Sequence, residues 1–271
     1  MGALYDINQS SLDKQQAVGS HLNFLRWLGR PLYPDARILD FGCGVGHSVA
    51  VLLEMGFDAY GCDVGEWWGK DHAHAHADYG VTYVPPAHVI SRLRCFSPSE
   101  PSLPFPHEHF DFCFSDQVME HIFDHTMAFR QIAGVLKPDA VSVHRFPGPN
   151  MPFEGHVYLP LPAVCHNKAY LTAWAFMGQK APSQHGLPWR EVLDSNIRTM
   201  RTVNYRSKRY LRACARRADV NIGFFESDEM RLRDVGAAAR IVARAKRFGF
   251  DRPLARLLSL LSQRYMVLMR I

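Results

Sequence analysis

Three glycines separated by single residues, Gly42, Gly44 and Gly46, follow an apolar segment early in the chain. Glycine has no Cβ atom, so a ligand can approach the main chain closely at such a turn. Helical spacing follows the turn, and the amides at the start of that helix should face the same pocket. Seventeen residues after Gly46, Asp63 ends a second apolar segment, where its carboxylate can accept both hydroxyl protons of a ribose. The pattern predicts a nucleoside-binding site.

The rest of the motif argues against a dinucleotide. A dinucleotide-binding turn requires its third glycine at position 47, where this chain has His47. Residues 110–122, downstream of Asp63, read Phe-Asp-Phe-Cys-Phe-Ser-Asp-Gln-Val-Met-Glu-His-Ile. Together with the turn and Asp63, this segment resembles the class I S-adenosylmethionine-dependent methyltransferases, specifically the branch that acts on small molecules. The resemblance covers residues 37–147.

The resemblance implies that S-adenosylmethionine is the cofactor and that Asp63 holds its ribose. Asp40 would pair, directly or through water, with the methionyl ammonium group or satisfy amides of the turn. Ser99 stands where the family commonly places an acid for the adenine amino group, and the neighbouring Glu100 is the alternative. Trp67 would pack on the adenine or in the core. The remaining positions that the resemblance assigns to the cofactor site are Gly42, Cys43, Gly44, Gly46, Ser115, Asp116 and Gln117.

Methyl transfer is a displacement at carbon, which chiefly requires alignment of donor and acceptor in a pocket with little water. If the acceptor is a hydroxyl, a base near the donor methyl group is favoured. The sequence places Glu154 and His156 best for this role, and His121 and His144 follow. The alternative for Glu154 and His156 is a hydrogen-bonded anchor for a loop.

A second question is whether Glu120 and His121 hold a metal ion. They resemble part of a Glu-x-x-Glu-His pattern that binds a divalent cation in some methyltransferases, but Gln117 replaces the first acid. Loss of one anionic oxygen ligand weakens a magnesium site. We therefore expect no metal and a bracing role for the pair. A softer site made with His156 is the alternative.

Apolar segments typical of buried strands alternate with segments of helical period. The predicted strands are near 37–41, 58–63, 89–94, 110–115, 140–146, 220–225 and 264–271. The predicted helices are near 12–28, 46–55, 66–78 and 124–136. The alternation indicates an α/β fold, a Rossmann-like doubly wound sheet with right-handed crossovers. The resemblance implies seven strands, of which the last is antiparallel.

The length of 271 residues and 47% hydrophobic content suit one domain with a sizeable core. We divide it into a helical cap, a cofactor-binding core, a lid insertion and two final strands with a helical insertion. Their ranges are 1–36, 37–147, 148–219 and 220–271, with the helical insertion at 229–262. The apolar stripe of that insertion is expected to cover a core. Contact with a membrane surface or with a second copy in a homodimer is the alternative.

Charge divides unevenly along the chain. Residues 1–150 carry 10 Lys and Arg against 17 Asp and Glu, whereas residues 151–271 carry 21 against 9. An acidic half suits a sulfonium cofactor, and a basic half can attract an anionic acceptor, with a solvated face as the alternative. Eight cations could grip a phosphate or carboxylate: Arg198, Arg201, Arg206, Lys208, Arg209, Arg212, Arg216 and Arg217.

No run of 18 apolar residues and no basic-apolar leader is present, so we expect a cytoplasmic protein without a transmembrane segment. Arg-Gly repeats and interleaved basic and aromatic motifs are absent, so nucleic acid is not the expected partner. The sequence therefore predicts a methyltransferase for a small-molecule or glycan-like acceptor, methylated at oxygen. The alternatives are a nucleic-acid 2′-hydroxyl methyltransferase and a non-catalytic relative that binds the cofactor or a partner.

Overall fold

The computed structural model describes residues 7–65, 85–161, 164–233 and 236–270, with side chains from residue 14 onward. The predicted helix at 66–78 and the predicted adenine contact Trp67 lie outside these residues.

A seven-stranded sheet forms the centre of the molecule, with strand order β3-β2-β1-β4-β5-β9-β8. Strands β1 to β5 run parallel to one another, and β9 lies antiparallel between β5 and β8. The predicted Rossmann-like fold is therefore confirmed. The strands of the sheet are β1 (Arg37–Phe41), β2 (Asp58–Asp63), β3 (Leu93–Cys95), β4 (Phe110–Asp116), β5 (Leu136–Phe146), β8 (Val220–Phe224) and β9 (Arg264–Arg270). A separate antiparallel pair is formed by β6 (Phe153–Glu154) and β7 (Leu159–Pro160).

The helices of the described residues flank this sheet and fill its two insertions. They are α1 (Ile7–Trp27), α2 (His47–Glu54), α3 (Ala87–Ile90), α4 (His125–Val135), α5 (Lys168–Phe176), α6 (Trp189–Arg201), α7 (Lys208–Arg217), α8 (Glu226–Leu232), α9 (Ala237–Lys246) and α10 (Asp251–Ser259). Side chains of the preceding residues begin several of them. For example, the carboxylate of Asp124 accepts a hydrogen bond from the Met127 amide at the start of α4.

Two apolar layers cover the two faces of the sheet. Successive residues of a strand point to opposite faces, so Ile38 and Leu39 of β1 enter different layers. Ile38 packs with residues of α1 and α2, whereas Leu39 packs with residues of α4 and α7. The sheet is thus buried on both sides, which explains the continuous apolar runs of its central strands.

The predicted third strand at 89–94 is wrong in its bounds. Residues 87–90 form the short helix α3 after Pro86, and only residues 93–95 pair with β2. Val89 and Leu93 are both buried beside the glycine turn. A short apolar run is compatible with a buried helix or a buried strand, so periodicity alone could not separate them.

The segment between β5 and β8 has two parts. The hairpin of β6 and β7 packs with α5 and α6 in a cluster of its own, which includes Leu159, Leu171 and Val192. Helix α7, by contrast, packs Leu211 and Cys214 into the apolar layer of the sheet that also contains Leu39. The end of the predicted 148–219 lid therefore contains a helix of the core.

The helices between β8 and β9 cover a smaller core than expected. Met230, Val242 and Ala255 pack together, one from each of α8, α9 and α10. Ile241 and Phe248, two apolar residues of the same insertion, are instead exposed, with 51% and 77% of their surface open to solvent. In the part of the chain that is described, no helix is long and apolar enough to cross a membrane.

Candidate active site

The glycine turn connects β1 to α2 and is tied to the neighbouring strand. The amides of Gly42 and Cys43 donate to the carbonyl of Cys62, at 2.8 and 3.1 Å. Gly42 has a φ of 80°, and a Cβ atom there would lie 2.3 Å from a methyl group of Val118. Gly44 has a φ of 52° and open space where its side chain would be. Backbone atoms of the turn are therefore exposed at this edge of the sheet.

The carboxylate of Asp63 closes the same turn from β2. Its Oδ2 accepts from the amide of Gly44 at 2.8 Å, and its Oδ1 accepts from the amide of Val64 at 2.7 Å. These two bonds orient an anionic group beside bare backbone. The carboxyl ends of β1 and β2 meet at this point because the strands are parallel neighbours.

A cavity of about 880 Å³ opens at this edge of the sheet. Its volume lies within the range of small-molecule and cofactor sites. Most of the wall is apolar. The lining residues are Phe41, Gly42, Gly44, Asp63, Val64, Phe96, Pro98, Ser99, Gln117, Val118, His121, Ile122, Phe123, Asp124, Met127, Ala128 and Gln131.

The structure divides the predicted cofactor residues into two groups. Those that line the cavity are Gly42, Gly44, Asp63, Ser99 and Gln117. Those described residues that do not are Asp40, Cys43, Gly46, Glu100, Ser115 and Asp116. Sequence reasoning missed apolar walls such as Phe96 and Ile122, although each lies within a few residues of a predicted position. Their position close to predicted site residues is the sequence signal that could have identified them.

Asp40 lies below the turn and has only 4% of its surface exposed. Burial raises the pKa of its carboxyl group to about 7, against the opposing effects of the Lys14 charge and a hydrogen bond from Ser48. The side chain is not among those that line the described cavity. Its pairing with the methionyl ammonium group, directly or through water, stays a prediction.

Ser115 and His144 form a buried hydrogen-bonded chain inside the sheet. Ser115 Oγ lies 2.8 Å from Nδ1 of His144, whose Nε2 lies 2.7 Å from Oγ of Ser142. All three residues are fully buried, and burial lowers the pKa of His144 to about 3. His144 has no nitrogen left for a substrate, so it is not a candidate base.

Asp116 contacts the N-terminal helix rather than the cavity. Its Oδ1 lies 3.0 Å from Nε2 of His21 in α1 and accepts from Nε of Arg145 at 2.8 Å. The other ring nitrogen of His21 lies 2.9 Å from the hydroxyl oxygen of Tyr265 in β9. Burial opposes ionisation of Asp116, but the contacts with His21 and Arg145 prevail and lower its pKa. This network fixes α1 across β4, β5 and β9.

The two residues best placed by sequence, Glu154 and His156, do lie together. Oε1 of Glu154 accepts from both the amide and Nδ1 of His156, at 2.9 and 2.6 Å. Its Oε2 accepts from the hydroxyl of Tyr205. Glu154 is fully buried, and both of its oxygens are occupied. The hydrogen bond to Glu154 raises the pKa of His156. Glu154 therefore acts on His156 and has no open face for a substrate.

His121 brings this pair to the cavity. Its Nδ1 donates to the carbonyl of Thr202 at 2.9 Å, and its ring meets that of His156 edge-on with centroids 5.1 Å apart. Burial lowers the pKa of His121. In each imidazole Nδ1 carries the proton of a fixed hydrogen bond, so Nε2 of the neutral ring holds the lone pair. One potential proton acceptor, on His121, thus stands at the cavity wall, and a second, on His156, lies next to it.

Glu120 stands behind the two imidazoles and is 1% exposed. Neither of its carboxylate oxygens has a hydrogen-bond partner among the described residues, and burial raises its pKa to about 7. One potential ligand atom from each of Glu120, His121 and His156 lies within 4.8 Å of the others. These residues could hold a metal ion. The absence of a metal stays a prediction.

The connection after α6 braces this segment. The Asn204 amide donates to the carbonyl of Glu120 at 2.5 Å, and its side-chain amide donates to the carbonyl of Ile122 at 2.7 Å. Together with the bond from His121 to Thr202, three hydrogen bonds hold residues 119–122 against residues 202–204. The lid insertion thus positions the wall of the cavity.

The eight cations between residues 198 and 217 do not line the cavity. Lys208 forms an ion pair with Glu226 at 2.7 Å, and Lys208 and Arg212 both lie over the ring of Phe224. Arg206 lies over the ring of Tyr210. Because α7 packs on the sheet, its cations belong to the core's outer surface. The described cavity wall therefore contains none of the cations that the sequence offers for an anionic acceptor.

Residues 15–222 match the model of a protein family that is described as a methyltransferase domain. A ubiquinone biosynthesis O-methyltransferase of Bradyrhizobium diazoefficiens is 30% identical over 107 residues, which are 40% of this chain and 38% of that protein. The matched segment thus spans well under half of the curated relative.

Solved structures with similar folds include three methyltransferases. An S-adenosylmethionine-dependent methyltransferase from Mesorhizobium loti has a TM-score of 0.49 at 18% identity, covering 93% of this chain and 98% of that one. Phosphoethanolamine N-methyltransferase 2 from Haemonchus contortus has a TM-score of 0.46 at 13% identity, covering 95% and 52%. Geranyl diphosphate C-methyltransferase from Streptomyces coelicolor has a TM-score of 0.45 at 14% identity, covering 93% and 79%.

Proposed function

The chain belongs to the methyltransferase domain family, whose methyl donor is S-adenosylmethionine, and we propose that it methylates a hydroxyl oxygen of a small-molecule or glycan-like acceptor. One observation carries the choice of oxygen. His156, next to the cavity residue His121, is hydrogen-bonded through Nδ1 to the buried carboxylate of Glu154. Such a pair is suited to remove a proton from a hydroxyl group. The partial match to an O-methyltransferase supports the same choice.

The described residues fit the cofactor. Gly44 offers backbone without a side chain, Asp63 offers an oriented carboxylate for the ribose, and Phe96 offers an apolar wall for the adenine. Ser99 supplies a hydroxyl at the same wall. S-adenosylmethionine supplies an activated methyl group when it is bound. We propose the remaining predicted contacts only for residues that line the cavity, so Glu100 is left out of the adenine site.

In this mechanism His156 takes the hydroxyl proton on Nε2. Glu154 keeps the proton of the resting ring on Nδ1 and stabilises the positive charge that the ring acquires. Tyr205 donates to the second oxygen of Glu154 and so holds the carboxylate in place. Glu154 and Tyr205 are positioning residues, and His156 is the catalytic residue.

His121 has a different part in the site. Its lowered pKa keeps the ring neutral near pH 7, so Nε2 can accept a hydrogen bond from the acceptor without competing strongly for its proton. Ile122, Phe123 and Met127 form the apolar wall beside it. Because none of the eight cations reaches this wall, we propose an uncharged acceptor with an apolar face.

The organisation of the chain is part of the same proposal. The cap, core, lid and helical insertion keep the ranges 1–36, 37–147, 148–219 and 220–271, with α7 counted as a core helix inside the third range. A cytoplasmic location is proposed with it.

A direct assay tests the proposal. The enzyme is incubated with methyl-labelled S-adenosylmethionine and a panel of phenols, catechols and glycosides, and label transfer is measured. We expect His156→Gln to lower kcat by about 100-fold or more while binding of S-adenosylhomocysteine is unchanged. The matched control is His166→Gln, which changes an exposed histidine of the same insertion. Incorporation of label into RNA, and into none of the small acceptors, would instead favour a nucleic-acid 2′-hydroxyl methyltransferase.

A further inference from the structure

The hairpin of α9 and α10, defined here as residues 236–263, exposes large apolar side chains to solvent. Six of them have more than half of their surface exposed. They are Ile241 (51%), Phe248 (77%), Phe250 (65%), Leu257 (63%), Leu260 (62%) and Leu261 (56%). Single exposed apolar residues are ordinary, but a group of this size in one 28-residue segment indicates an interaction surface.

The exposed side chains come from both helices and from the turns that follow them. Ile241 belongs to α9 and Leu257 to α10, whereas Phe248 and Leu261 lie in the turns after these helices. Val242 and Ala255 of the same two helices are instead buried with Met230 of α8. Other side chains therefore form the small core between α8, α9 and α10, and the exposed residues do not belong to it.

The hairpin is held in this orientation by contacts with α8. Nε of Arg231 donates to Oδ2 of Asp251 at 2.8 Å, which ties the start of α10 to α8. Met230 packs with Val242 and Ala255 on the inner side. A rotation that turned the exposed leucines inward would break both sets of contacts. The outward apolar face is thus a stable feature of the fold.

The same surface is strongly basic. Residues 236–263 contain six cations and a single acid, Asp251, which is buried and paired with Arg231. The cations are all exposed, and none forms an ion pair within the described residues. They are Arg240, Arg244, Lys246, Arg247, Arg252 and Arg256.

We propose that the α9–α10 hairpin binds the surface of membranes that contain anionic lipids. An anionic membrane surface binds apolar side chains that are flanked by cations. The apolar side chains enter the boundary of the acyl chains, and the cations attract the anionic headgroups. A second copy of the chain would bring six like charges against six, which disfavours self-association through this face. A polynucleotide would use the cations but would leave the leucines in water.

Vesicle binding by the 271-residue chain tests this proposal. The protein is sedimented with vesicles of phosphatidylcholine alone and of phosphatidylcholine mixed with phosphatidylglycerol. We expect binding to the mixed vesicles only, and binding that weakens as salt is raised, because salt screens the charges. The combined change Arg252→Gln and Arg256→Gln should weaken binding to the mixed vesicles by about tenfold or more.

The apolar contribution is tested by Leu257→Ser combined with Phe248→Ser, for which we expect a loss of about tenfold or more in partitioning. The matched control is Phe176→Ser in α5, an aromatic side chain with 73% exposure outside the hairpin, which should bind as the wild type does. Thermal unfolding shows that each variant is folded.

Three outcomes would overturn the proposal. One is the absence of binding to either kind of vesicle by the folded wild type. Another is a dimer in analytical ultracentrifugation that the Leu257→Ser change dissociates, since the face would then be a self-interface. The third is tight, salt-sensitive binding of an RNA oligonucleotide that the arginine changes remove while vesicle binding persists unchanged.

Discussion

Nδ1 of His156 lies 2.6 Å from Oε1 of Glu154, a carboxylate with no surface exposed to solvent. The two residues are separated by a single glycine, and the tight turn between β6 and β7 brings them together. A carboxylate so enclosed serves to orient and charge the imidazole.

Removal of the charge on Glu154 should shift the pH dependence of catalysis. The hydrogen bond to Glu154 raises the pKa of His156, and the neutral ring is the base, so wild-type activity should rise with pH as His156 loses its proton. In Glu154→Gln we expect this rise at lower pH and a kcat reduced by about 10- to 100-fold. The measurement is kcat against pH. Tyr205→Phe is the control, because it keeps the carboxylate, and a profile unmoved in Glu154→Gln would contradict the assignment.

A methyl group at position 42 should disrupt the turn. Its Cβ would lie 2.3 Å from the Val118 side chain, and the φ of 80° is unfavourable for alanine. We expect Gly42→Ala to lower the free energy of unfolding by about 2–4 kcal/mol, measured by urea denaturation. Gly56→Ala separates the two causes, since Gly56 has a φ of 87° but open space around its Cβ position. Equal losses in both variants would mean that the contact with Val118 is unimportant.

Binding of S-adenosylhomocysteine should raise the melting temperature, because a ligand that binds only the folded state stabilises it. Asp63→Ala should remove most of this gain, since Asp63 both orients the Gly44 amide and faces the cavity. Differential scanning calorimetry with and without ligand measures it. The unliganded variant serves as the baseline, and nicotinamide dinucleotides should give no stabilisation. A folded wild type without any shift would remove the basis of the cofactor site.

Chelators should leave activity and cofactor binding intact. In the metal-binding pattern that this segment resembles, Gln117 replaces the first acid, and loss of an anionic oxygen weakens a hard-cation site. Glu120 is buried without a hydrogen-bond partner among the described residues, which favours its neutral form. Label transfer is measured before and after treatment with a chelating agent. Loss of activity that a divalent ion restores, together with an inactive Glu120→Ala, would make Glu120, His121 and His156 ligands.

The alternation of strands and helices can be predicted from the sequence because apolar runs and their helical period are local properties of the chain. The glycine turn and Asp63 were readable for a related reason, since parallel neighbouring strands end at the same edge of a sheet. The sequence does not locate the start of the third strand, because Val89 and Leu93 would be buried in a helix or in a strand. The sheet's strand order confirms the fold that these local patterns indicated.

The partners of the candidate catalytic groups were decided by tertiary structure alone. Tyr205 is 51 residues from Glu154, and Thr202 is 81 residues from His121, so neither contact leaves a local pattern. Burial also distinguishes the two other candidate histidines. His144 is enclosed within the sheet, whereas His121 lines the cavity.

The distribution of charge along the sequence indicates a basic C-terminal half, but it does not show which surfaces the cations occupy. Packing determines this. The cations of α7 lie on the outer surface of the core, and those of α9 and α10 lie among exposed leucines. A sequence records which residues carry charge and apolar surface. The fold decides which of them face a ligand, because burial and orientation depend on segments that are distant in the chain.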